Sequence, residues 1–79
     1  MTPAELKAVS RVRSMAARGE LKAARVTRHL TLAEIAAGIG ADPSTIYRWE
    51  VGESVPRAAH ALRWAQLMEL VDPASELAA

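Results

Sequence analysis

The chain predicts an all-α fold, a compact bundle of about five helices. Three observations predict it. No stretch alternates β-branched and polar residues long enough for a strand, and alanine is the commonest residue. Apolar residues recur three and four positions apart. Twice a threonine is followed three residues later by a glutamate just before such a run, which is a helix start signal.

The first start is Thr2-Pro3-Ala4-Glu5, a hydroxyl N-cap, a proline at the first helical position and a glutamate placed to close a capping box. With Leu6, Val9, Val12, Met15 and Ala16 at helical spacing, it predicts a helix over residues 3–17. Gly19 reads two ways: it ends this helix, or it sits inside one long helix running to Leu30. A separate helix over residues 20–29 places Leu21, Ala24 and Val26 inward and leaves Lys22 and Arg28 for solvent or a ligand. Thr31-Leu32-Ala33-Glu34 repeats the capping box, Ile35, Ala36 and Ile39 share a face, and Gly38 and Gly40 bracket the end. Asp42-Pro43 opens a fourth helix that runs to Glu50 and stops at Gly52. After Pro56, the positions Ala58, Ala61, Leu62, Ala65, Leu67 or Met68, and Val71 mark a last long helix ending at Asp72-Pro73.

Seventy-nine residues with no Cys, no Phe, one Tyr and two Trp describe one small soluble domain. Such a chain buries only about 60% of its unfolded surface, which leaves little room for a deep catalytic cavity beside a core. The absence of Cys excludes disulfides and thiolate chemistry, and His29 and His60 are too far apart in sequence to suggest a ligand cluster. No apolar run reaches the roughly 18 residues of a membrane span, and the first residues do not resemble a signal peptide. No enzyme, no metal or cofactor, no membrane partner and a cytoplasmic location are the expectations.

The net charge of +1 conceals an asymmetry. Residues 1–30 carry seven Lys and Arg against two Glu, +5, whereas residues 31–79 carry three Arg against seven Asp and Glu, −4. A polyanion partner for the basic half is one reading, and a solvated helix surface is the other.

Two short helices, each with its own N-cap, joined by three residues around Gly40 have the geometry of a helix-turn-helix. Gly40 supplies the residue that tolerates positive φ, and Ala36 the small residue that lets the helices approach. Ile46 and Trp49 point the second helix inward, leaving Ser44, Tyr47, Arg48 and Val51 as an outer stripe.

The stretch from Leu32 to Gly52, ending Trp49-Glu50-Val51-Gly52, with Pro56 four residues later and Leu62 to Leu70 beyond, resembles the phage-repressor and Cro-type (Xre-like) helix-turn-helix domain. The resemblance covers residues 19–71; residues 1–18 form an additional N-terminal helix and residues 72–79 a frayed tail. It implies a lambda-repressor-like fold whose second motif helix enters the major groove of double-stranded DNA. By position, the base-reading residues are Pro43, Ser44, Tyr47 and Arg48, with Arg48 the strongest because a guanidinium can bond both acceptors of a guanine. The phosphate contacts implied are Thr31 and Leu32 at a helix N-terminus, Thr45, and the basic Lys22, Arg28 and Arg18. Arg25 and Glu50 occupy the positions of a structural ion pair. Two departures matter: Pro43 stands where relatives carry a polar base-reading residue, and Glu53 stands where a basic residue touches phosphate.

Plainer roles stand beside these. Trp49 and Trp64 read as core, Tyr47 also as cover for a neighbouring loop, His29 as a helix-end residue, His60 as a surface or partly buried helix residue, and Arg11, Arg13 and Arg18 also as solubilising charge. The function expected is a sequence-specific regulator, a repressor acting by operator occupancy in a bacterial or phage setting, nucleoid-associated in a bacterial host. A homodimer or a second DNA-reading element would complete its site, and the helix over 3–17 is available for either task. The alternative is an antitoxin-like protein-interaction module whose DNA binding is autoregulatory. A long exposed apolar stripe at either terminus would mark it.

Overall fold

A computed structural model describes residues 1–72 of the chain. Five helices follow one another: α1 (Pro3–Ala17), α2 (Leu21–Thr27), α3 (Leu32–Ile39), α4 (Pro43–Glu50) and α5 (Ala58–Leu70). The sequence reading of a frayed tail falls largely outside the described residues.

Both threonine–glutamate boxes close. Thr2 N–H donates to Glu5 Oε1 at 2.8 Å and Glu5 N–H donates back to Thr2 Oγ1 at 3.1 Å; Thr31 and Glu34 repeat the exchange at 2.9 and 3.1 Å. Gly19 ends α1 and does not sit within a longer helix: at φ 71° it turns the chain left-handed, and Glu20 N–H returns to the Met15 carbonyl at 2.9 Å. Gly40 does the same for α3 at φ 74°, with Ala41 N–H on the Ala36 carbonyl at 2.9 Å. At the end of α2 the left-handed position is held by His29, at φ 56°.

The core is one cluster fed by all five helices. Val9, Val12 and Ala16 come from α1, Leu21 from α2, Ile35, Ala36 and Ile39 from α3, Ile46 and Trp49 from α4, and Ala61, Trp64, Ala65 and Met68 from α5. Burying each large aliphatic side chain contributes about 1.5–3 kcal/mol. The most extensive helix–helix contact is α1 along α5, followed by α3 with α4. Thus α1 shares its core with the helix-turn-helix. Two apolar residues placed inward by spacing are outside: Leu6 is 55% and Val26 52% exposed. Val26 lies two positions past Ala24, about 200° around the helix, so α2 cannot bury both. Both tryptophans are buried, and the Trp49 and His60 rings meet at 5.6 Å.

Candidate nucleic-acid interface

The orientation of α4 is set from its inner face. Ile46, Trp49 and Glu50 are buried there, and the Glu50 carboxylate receives Arg25 Nε at 2.7 Å and Nη2 at 2.9 Å. The third Arg25 nitrogen donates to the Leu30 carbonyl at 2.9 Å, so one guanidinium joins α2, the turn after it and the end of α4. That carboxylate holds the Arg25 pKa above its ordinary value, chiefly through the side-chain hydrogen bond.

With the inner face fixed, Pro43, Ser44, Tyr47, Arg48 and Val51 fall on the outer face and are exposed. The Arg48 side chain makes no hydrogen bond or ion pair among the described residues, so its five donors are available to an outside acceptor. Thr45 is half-buried at the edge of this face. Pro43 carries no N–H, and Asp42 caps without a side-chain bond.

The α3 N-terminus is narrower than a bare helix end. Its capping box already uses the N–H groups of Thr31 and Glu34, and Ile35 N–H bonds the Thr31 carbonyl, which leaves Leu32 and Ala33 N–H outward. The Glu34 pKa is lowered, first by the Thr31 backbone N–H and then by its hydroxyl, so this carboxylate remains charged beside the site.

The basic residues of the first thirty divide sharply. Arg28 is bonded at the end of α5: its Nε donates to the Met68 carbonyl at 3.2 Å and its Nη1 to the Ala24 carbonyl at 2.9 Å, with Asp72 4.0 Å away. The end of α5 presents main-chain carbonyls without helical partners, and the guanidinium expected at phosphate satisfies one of them. Arg13 is likewise bonded to the Pro56 carbonyl, and Arg18 pairs with Glu20 on the surface at 2.7 Å. Lys22 is exposed and, among the described residues, unpaired. Only part of the +5 segment is therefore free to meet a polyanion. Arg57, which the sequence reading passed over, is an exposed cation at the N-cap of α5. Its position after Pro56, on the loop leaving α4, was the signal available.

Among the described residues no group of His, Asp or Glu is arranged to hold a metal ion, and no helix is long and apolar enough to cross a membrane. A helix-turn-helix family model matches residues 21–74, more than half of the chain, covering α2 to α5 and excluding α1. Comparison with curated proteins and with solved structures gives no match.

Proposed function

The chain belongs to the Cro- and phage-repressor-type helix-turn-helix family and is a DNA-binding transcription regulator, and we propose that it is a repressor that acts by occupying its operator. On this reading α4 lies in the major groove, and Arg48 reads a guanine through O6 and N7. Ser44 and Tyr47 read neighbouring base edges, with Pro43 packed against them. Phosphates meet the free N–H of Leu32, the Thr31 and Thr45 hydroxyls, and Lys22 and Arg18. Bound protein excludes polymerase, a mechanism that needs affinity and no catalysis.

The observation that carries the reading is the outer face of α4. It presents an unpartnered arginine on a helix whose inner face is locked by a buried ion pair. The protein-interaction alternative asks for a long exposed apolar stripe; at the N-terminal helix, Val9 and Val12 are spent against the core. One recognition helix reads few base pairs, so a second copy or a further reading element completes the site.

Selection of bound duplexes from random DNA, with the mass of the complex measured alongside, tests this. A recurring sequence motif, and a twofold site for a complex of two chains, are expected. Binding that is indifferent to sequence, or insensitive to salt, overturns the reading.

A further inference from the structure

Helix α1 precedes the family match, which starts at residue 21, yet one of its side chains reaches the loop that follows the recognition helix. Arg13 Nε donates to the Pro56 carbonyl at 3.1 Å, across 43 residues of sequence. At that end the Pro56 ring is buried and Ala61 N–H donates to the Arg57 carbonyl at 2.8 Å, so the Arg13 bond adds a side-chain tie to the Pro56 carbonyl between them. Residues 51–55 are all exposed. The main-chain bonds of Glu53 and Ser54 to the Arg48 carbonyl, at 2.9 and 3.4 Å, tie only its first half to α4.

At Pro56 the backbone has one soft dihedral left. The ring fixes φ, so the direction in which the chain departs toward Arg57 is set by ψ, which is the orientation of the carbonyl. Arg13 holds that carbonyl, while the ring is buried beneath. The next residue is Arg57, whose exposed side chain makes no hydrogen bond or ion pair among the described residues.

We propose that Arg13 is a positioning residue for DNA binding: through the Pro56 carbonyl it fixes the end of the α4–α5 loop and holds Arg57 against a phosphate beside the site read by α4. The proposal rests on the DNA-binding reading above. A guanidinium carried on a pre-set backbone loses less freedom on contact than one on a wandering loop. It also assigns α1 a part in binding that requires no contact between α1 and DNA.

The test is a double-mutant cycle on the full chain, reading the slope of log affinity against log salt for the duplex recovered by selection. In the wild-type background Arg57→Ala lowers the slope by about 0.9, one phosphate contact. In the Arg13→Met background, where no donor reaches the Pro56 carbonyl, the same substitution changes it by close to nothing. The general loss of positive charge in Arg13→Met is common to both arms and cancels. Arg13→Lys keeps the charge and replaces Nε–H by a methylene, and it gives the same non-additivity. Equal slope losses in both backgrounds, or no slope loss from Arg57→Ala in wild type, overturn the role of Arg13 while leaving DNA binding intact. No salt-dependent binding by the wild type overturns both readings.

Discussion

Arg25 grips both carboxylate oxygens of Glu50, at 2.7 and 2.9 Å, with the two side chains only 12% and 4% exposed. Removing one partner strands a buried charge, which costs far more than the pair contributes over an apolar replacement. Glu50→Ala is expected to lower stability by about 3–5 kcal/mol in a urea titration. Glu20→Ala, which breaks the exposed pair with Arg18, is expected to change it by less than about 0.5 kcal/mol. Similar losses for the two would mean that Arg25–Glu50 does not hold α4.

Arg48→Ala removes a side chain that supports nothing inside the protein. The melting curve is expected to stay within about 0.5 kcal/mol of wild type. Discrimination between the selected duplex and one with its guanine replaced should fall by about 1–3 kcal/mol in a competition assay. Unchanged discrimination would remove Arg48 from the reading face.

Deleting residues 1–18 strips Val9, Val12 and Ala16 from the cluster that α5 completes with Trp64, Ala65 and Met68. The remaining residues, although they contain the whole family match, are expected to lose cooperative thermal unfolding. A truncated chain that melts as sharply and as high as the full one would show α1 to be dispensable.

His29 sits at φ 56°, a left-handed conformation that costs a side-chain-bearing residue roughly 1–2 kcal/mol. His29 is exposed, and glycine adopts this geometry freely. His29→Gly is expected to raise stability by about 0.5–1 kcal/mol, the rest being offset by the added freedom of the unfolded chain. A fall in melting temperature would show that the imidazole makes a contact of its own.

Glu5 and Glu34 are both held below the ordinary carboxylate range, chiefly by the backbone N–H of Thr2 and of Thr31. A lowered folded pKa contributes stability that is fully present above the unfolded value, about 4.3, and is lost as pH falls through the folded one. The boxes are therefore intact at neutral pH and weaken on acidification below the unfolded value, about pH 4.3. Replacing both glutamates by glutamine keeps an acceptor at each box and removes the titration. The drop in melting temperature on acidification should be smaller in that variant; an undiminished drop would assign acid sensitivity elsewhere.

Much of this was legible in the chain because it is written at short range. A threonine and a glutamate three residues apart define a box, and Gly40 marks the turn between α3 and α4. The inward and outward faces of α4 follow from helical periodicity applied to eight residues. The resemblance implied Arg25 and Glu50 as partners, and the structure puts them together. What was not legible is how the other arginines are spent. Arg13, Arg28 and Arg63 bond the carbonyls of Pro56, Met68 and Ile39. A carbonyl acceptor is common to every residue, so no side-chain pattern announces it.

The sequence by itself determined the starts of α1, α3 and α4, the helix-turn-helix register and the residues on the outer face of α4, since each depends on neighbours within about a turn, and it left open whether Gly19 separates α1 from α2. Tertiary structure alone decided which positive charges remain available outside. The +5 segment looks like one patch along the chain, but folding brings carbonyls at helix and loop ends within reach of its guanidinium groups from 40 and 43 residues away, and Ile39 within reach of Arg63. Those carbonyls claim Arg13, Arg28 and Arg63 because an unpaired acceptor away from water is costly. Arg48, with no such acceptor beside it, is left to face outward.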